Sequence, residues 1–192
     1  NPPNTKVDLV KLKLNQPILP CSKQTFTLVY TVKIPDSKFT KYGYYNDGRI
    51  VLKNWYLNPA RFEHKQFIQY SNENLDDIPN AFSDFEIEFE LPKDYALSSN
   101  LQEINSIELI DTKKVLLNSK NKNEVVITIE PKSTYQTYKN EIIEVSCGID
   151  DKRVSDIDKA IIFDRVSRFT ASKLGLPIAS KILISQEDYA RQ

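Results

Sequence analysis

No methionine occurs anywhere in this sequence, histidine occurs once and cysteine twice, and these scarcities already restrict the chemistry. One histidine and two cysteines cannot by themselves furnish the three or four ligands of an ordinary zinc site. A histidine-dependent nucleophilic triad has only His64 to draw on, and there is neither a Gly-x-Ser-x-Gly nucleophile elbow nor a glycine-rich phosphate loop. Net charge is missing too. Lys plus Arg and Asp plus Glu both number 26, so no overall field steers the protein toward nucleic acid or an anionic membrane. Charged or polar residues interrupt every apolar run well short of the ~20 residues of a membrane-spanning helix. Glycine is scarce, at four residues, while Tyr and Phe are abundant, which argues for a folded chain rather than disorder. A chain that lacks methionine and opens at Asn1-Pro2-Pro3 is not expected to begin at its translation start. The expected upstream piece has room for a secretory signal, although no charged-then-apolar leader is visible.

What is present is alternation. From Gln24 to Ile34, Phe26, Leu28, Tyr30, Val32 and Ile34 share one face, with Thr25, Thr27, Thr31 and Lys33 on the other, and this predicts a half-buried strand. Asp84 to Leu91 repeats the device, with Phe85, Ile87, Phe89 and Leu91 inward and Glu86, Glu88 and Glu90 outward. Three carboxylates in a row require that the outer face be wet. Shorter strands are expected at Lys6 to Leu14, Arg49 to Leu52, Trp55 to Leu57, Gln66 to Tyr70, Ile104 to Ile110, Glu124 to Glu130 and Ile142 to Ser146. Turn signals separate them: Pro35-Asp36-Ser37, Asn46-Asp47-Gly48, Pro92-Lys93-Asp94 and Asn118 to Asn123. Many short strands with turns between them predict a mainly β fold, an antiparallel β-sandwich or curved sheet.

At Ser155 the pattern changes. Ser155 is placed to cap a helix whose first turn carries Asp156 and Asp158. Ile162, Val166, Phe169 and Lys173 then follow three to four apart, with Ile161 and Phe163 widening the stripe, and Gly175 and Pro177 end the helix. Lys181-Ile182-Leu183-Ile184 reads as an apolar strand. One helix feeding one strand opens an α/β layer, and such a layer needs covering. The expected division is an antiparallel β domain over 1–151 and the opening helix and strand of an incomplete second domain over 152–192. The helix from Ser155 to Leu174 should pack on the remainder of the same polypeptide or on a partner subunit.

Candidate chemistry is sparse. His64 follows Glu63, which suggests a metal or acid/base role, but the plainer reading is a solvated loop histidine. Asp76-Asp77 brings clustered oxygens that suit calcium, or simply forms a polar turn. Phe39, Tyr42, Tyr44, Tyr45, Trp55 and Tyr56 are either an exposed glycan-type platform or core and interface packing. Cys21 and Cys147 either pair across a sheet in an exported protein or stay two thiols packed as small apolar groups. No residue of the chain is assigned a catalytic, cofactor-binding or metal-ligating role.

Several segments, taken in order, resemble one family. They are Leu28-Val29-Tyr30; Phe39-Thr40-Lys41-Tyr42-Gly43; Leu52-Lys53-Asn54-Trp55-Tyr56-Leu57-Asn58-Pro59-Ala60; Tyr70-Ser71-Asn72-Glu73-Asn74-Leu75-Asp76-Asp77; and Phe85-Glu86-Ile87-Glu88-Phe89-Glu90-Leu91-Pro92-Lys93-Asp94-Tyr95. Together they resemble the N-terminal β domain of M1-family (gluzincin) aminopeptidases, in a secreted bacterial branch. Ile161 to Lys173, Leu174-Gly175-Leu176-Pro177 and Lys181-Ile182-Leu183-Ile184 are similar to the first helix, loop and strand of that family's thermolysin-like catalytic domain. The resemblance covers the chain from about Cys21 onward, and its order and spacing carry it rather than any one motif.

The resemblance implies a parent that removes residues from peptide N-termini with a zinc-activated water. Its zinc would be held by His-Glu-x-x-His and a later Glu in the catalytic domain. Neither that motif nor the family's Gly-x-Met-Glu-Asn segment occurs here, so no cofactor is expected in this segment. The resemblance also implies export to periplasm, outer membrane or exterior, and a β domain that walls a peptide cleft, with the Asn46-Asp47-Gly48 hairpin and the Asn58 to Phe62 loop facing the neighbouring domain. The alternative function is a non-catalytic β-sandwich binding module, including an inactive peptidase relative in an envelope complex.

Overall fold

Alternation succeeds where a second strand lies alongside to accept it, and the longest ladder of the protein shows how. The computed structural model describes residues 10–68, 80–177 and 180–190. In chain order the strands are β1 (Gly43–Tyr44), β2 (Ile50–Lys53), β3 (Phe62–Glu63), β4 (Gln66–Phe67), β5 (Ser83–Pro92) and β6 (Ala96–Ser99). They continue with β7 (Gln102–Glu108), β8 (Thr112–Lys122), β9 (Val126–Glu130), β10 (Gln136–Lys139) and β11 (Glu144–Cys147). Helix α1 (Asp156–Leu174), β12 (Lys181–Ile184) and the short α2 (Gln186–Tyr189) follow. The fold is mainly β, with antiparallel sheets and two helices.

The chain divides into two units, one of Asn1–Lys33 with Leu57–Ala81 and the other of Ile34–Tyr56 with Phe82–Gln192. The first unit contains the β3–β4 hairpin, in which Phe62 pairs with Phe67 and their rings meet edge to face at 5.0 Å. The second unit holds three sheets. One is the antiparallel set β1-β2-β9-β6, another the antiparallel set β5-β8-β7. In the second set the inward residues of β5 oppose the inward residues of β8, Phe89 to Val115, Ile87 to Leu117 and Phe85 to Ser119. Outward, Lys114 of β8 bonds Glu88 at 3.0 Å, with Glu90 also within reach, so the three-carboxylate face is wet and partly neutralised. The two sheets share one core: Leu52, Leu91, Leu101, Val115, Leu117, Val125 and Ile127 are buried, with Trp55, Tyr56, Phe85 and Phe89 packed on them. This is the expected sandwich.

The third sheet is mixed. β10 and β11 are antiparallel, while β11 and β12 run parallel, Val145 opposite Ile182 and Cys147 opposite Ile184. Parallel strands need a long crossover, and α1 supplies it. The expected 151/152 division therefore falls between β11 and α1, inside one βαβ unit. The helix starts and stops as its sequence predicts. Ser155 accepts the Asp158 amide while the Asp158 carboxylate accepts the Ser155 amide, a reciprocal capping box, and Gly175 leaves the helix at φ 89°.

Three expectations need correcting. Gln24 to Ile34 forms no strand: it has no ladder partner among the described residues, and Phe26, Leu28, Val29, Tyr30 and Val32 are exposed. Period-two alternation makes a strand only when a neighbour takes up its N–H and C=O groups. Trp55 to Leu57 is likewise irregular, because Trp55 and Tyr56 both turn toward the core and neighbouring strand residues would face opposite ways. Asn118 to Asn123, expected as a turn, is mostly the end of β8, held by pairing with β5 through Lys122 opposite Ser83; the register shifts near Asn121, whose φ is 56°, and the chain bends only after Lys122. Of Lys6 to Leu14 the described part, residues 10–14, is not strand, and the end of Gln66 to Tyr70 lies outside the described residues. The Asn46-Asp47-Gly48 hairpin forms as expected, with the Gly48 amide on the Tyr45 carbonyl at 3.0 Å and φ 87° at Gly48.

Leu117 is 1% exposed in the middle of β8, so Leu117→Ala should lower the unfolding free energy by about 2–5 kcal/mol. Ile110→Ala, at an 89% exposed position, should change it by less than about 0.5 kcal/mol. Urea denaturation of the two variants checks both values.

Candidate functional site

Most residues singled out from the sequence turn out to have structural work. His64 and Lys65 form the tip of the β3–β4 hairpin with φ of 50° and 64°, the double left-handed turn that a two-residue hairpin needs. His64 is exposed, and Glu63 is engaged by Arg61 at 2.9 Å rather than by the imidazole. Among the described residues no three His, Cys, Asp or Glu side chains gather as a group that could hold a metal ion. Asp76-Asp77 lies outside the described residues. Cys21 is an exposed free thiol and Cys147 a buried one on β11.

The aromatic cluster separates. Trp55 packs on Phe89 with ring centres 5.6 Å apart and Tyr56 on Phe85 at 5.4 Å, both as part of the sandwich core. Tyr45 stays near the surface, its hydroxyl donating to the Lys41 carbonyl at 2.7 Å and its ring lying under the Arg49 guanidinium at 4.6 Å. Phe39 and Tyr44 are exposed. An open platform of Tyr44, Tyr45, Trp55 and Tyr56 therefore does not form.

The feature with a free surface is α1. Its inner side is bound mostly by polar contacts. Phe163 meets Tyr138 at 5.3 Å, and Asn140 donates to both the Asp164 carboxylate at 3.0 Å and Ser167 Oγ at 2.8 Å. Lys159 donates to the Ile149 carbonyl at 2.9 Å, and Gln136 to Asp156 at 3.2 Å. The adjoining solvent side carries Ile162, Val166 and Phe169, exposed by 48%, 57% and 65%. No residue of this helix is buried. A lone exposed apolar residue needs no explanation, but a continuous row along a helix does. β12, beside it in sequence, is the last strand of its sheet, so one edge carries no strand among the described residues.

Two buried polar groups and a partly buried tyrosine hold the βαβ unit and its surroundings on the sandwich, and none was distinguishable by sequence pattern. Lys122, 5% exposed at the end of β8, donates its ammonium to the Lys181 carbonyl of β12 at 2.8 Å. Desolvation holds its pKa below the usual lysine range. Glu130, 1% exposed, accepts the Thr134 amide at 2.6 Å and fixes the turn into β10. Tyr135 shares a 3.1 Å hydrogen bond with Thr128, and burial pushes its hydroxyl up to about 12 against a weaker opposing pull from that bond. Arg49, from the hairpin of β1 and β2, reaches Glu187 of α2 at 2.8 Å. The only sequence signal for any of these was an isolated charge at an inward strand position.

No helix among the described residues is long and apolar enough to cross a membrane. Comparison of the chain with protein-family models, with curated proteins and with solved structures finds no match.

Two outcomes follow from this geometry. Val166→Asp with Phe169→Asp should leave the unfolding free energy from urea denaturation within about 0.5 kcal/mol of the parent, since neither side chain is buried. The raised Tyr135 pKa means the neutral hydroxyl is favoured by folding. Its contribution is complete below the ordinary value of 10.0 and is lost as pH rises through about 12. Tyr135→Phe should therefore flatten the decline of stability over that window, measured by denaturation at stepped pH.

Proposed function

We propose that this chain is the non-catalytic N-terminal portion of an M1-like zinc metallopeptidase, a β wall joined to the opening elements of the domain that does the chemistry. The observation that carries the reading is the open apolar row on α1, together with the edge position of β12, which has no further strand beyond it among the described residues. A parallel pair of strands with a single crossover helix is stable only with both faces covered, so this layer calls for further strands and helices. The order of segments that resemble the family, from Leu28 to Ile184, supports the same assignment.

In this reading the chain's own residues do positioning. Arg49–Glu187 and Lys122 with the Lys181 carbonyl tie the βαβ unit to the sandwich, so that a domain continuing from β12 is held at a set angle to the β wall. Zinc and peptide substrate belong to that continuing domain, and the parent acts outside the cytoplasm. The binding-module alternative loses its main support with Trp55 and Tyr56 packed in the core.

Antibodies against this chain should isolate a native polypeptide well above 22.2 kDa that releases p-nitroaniline from aminoacyl-p-nitroanilides. Chelation with 1,10-phenanthroline should abolish turnover and zinc should restore it. A native polypeptide of any size without zinc-dependent turnover overturns the proposal.

A further inference from the structure

Ile162, Val166, Phe169 and Lys173 are spaced four, three and four residues apart, so they form one line down the outer side of α1. That spacing is the seam of a helix packed lengthwise on another helix at a shallow angle. A helix covered by a sheet or by a mixed core carries a broader apolar stripe, about 100° or more. Here the seam is narrow. Asp158, Arg165 and Ser172, seven apart, run along its flank and separate it from a second short apolar row of Ile157 and Ile161. Any body lying over both rows also covers Arg165.

The charges on this side are Asp158 at the start of the flank, whose carboxylate accepts from the Ser155 amide and hydroxyl, and the cations Arg165 and Lys173 further along. The carboxylates of α1 are all engaged: Asp156 by Gln136 and Lys159, Asp158 in the capping box with Ser155, and Asp164 by Asn140 and Arg168. Arg168 is itself held by Asp164 and Glu141. Arg165 and Lys173 have no ion-pair partner among the described residues. A guanidinium removed from water without a counter-charge is costly, so whatever covers Arg165 must bring an acceptor.

We infer that the occupant of this face is an α-helix of the domain continuing the βαβ layer, laid alongside α1, with an apolar seam bordered by carboxylates that meet Arg165 and Lys173. This rests on the reading of α1 as a docking face and adds the element type and charge of what docks. An anionic membrane surface would suit the cations, but it favours a broad apolar face rather than one line interrupted by Asp158, Arg165 and Ser172.

The test uses the full chain with two designed three-heptad peptides that share a leucine seam, one bordered by Glu and the other by Lys. Amide NMR titration should show shifts centred on Ile162, Val166 and Phe169. The Glu-bordered peptide should bind about tenfold or more tightly than the Lys-bordered one, with the difference shrinking as salt is raised. Arg165→Glu with Lys173→Glu should invert the order, and Val166→Asp should abolish binding of both. Equal affinity for the two peptides leaves α1 a docking face and overturns the acidic complement. Binding of neither overturns the docking face as well. Stronger binding to phosphatidylserine vesicles than to either peptide overturns the helix occupant in favour of a lipid surface.

Discussion

The register between β5 and β8 is the constraint on which the rest of the second unit depends. Side chains alternate with a period of two, so a slip by one residue would carry Phe85, Ile87, Phe89 and Leu91 to solvent and Glu86, Glu88 and Glu90 into the core. Lys114 strengthens the chosen register from outside, meeting Glu88 and Glu90 while Val115 and Leu117 go in. The surface so formed accepts Leu52 and Ile127 from the other sheet, and the two sheets become one core. β9 leads through the Glu130 turn to β10 and β11, where the chain changes from antiparallel pairing to a parallel crossover.

That transition is made with polar groups rather than with bulk hydrophobic packing. Lys122 gives up solvation to hold a β12 carbonyl, and Arg49 and Glu187 pair across from the first hairpin. Directional bonds of this kind cost desolvation and return orientation, because a hydrogen bond is satisfied only over a narrow range of angles. The inner side of α1 follows the same rule through Asn140, Lys159 and Gln136. Its apolar residues are thereby left on the outside, with Arg165 and Lys173 beside them.

Legibility in the sequence followed the range of the interaction. α1 was readable to the residue at its start, since Ser155, Asp158 and Gly175 act through contacts three to four residues away. β5 was readable because strict alternation with charged residues leaves only one face that can be buried. Gln24 to Ile34 alternates as well, yet it is no strand, because alternation specifies a face and says nothing about a partner. β8 was hidden for the opposite reason: its polar second half, Asn118 to Lys122, reads as turn and is kept in the ladder by pairing with β5. The six aromatic residues from Phe39 to Tyr56 could not be sorted into core and surface until the opposing sheet placed Phe85 and Phe89.

The sequence by itself determined the class of the fold, the helix with both its ends, the main hairpins and the absence of a histidine-rich or glycine-rich catalytic motif, all of which rest on composition or on neighbours within a few residues. Only the tertiary structure decided that β12 lies parallel to β11, that Trp55 and Tyr56 are core, that Lys122 and Glu130 are buried, and that the apolar row of α1 is the side left open. Each of those depends on which distant strand comes to lie beside a given residue. Burial and strand pairing are properties of such long-range contacts, and a local pattern carries only the capacity to make them.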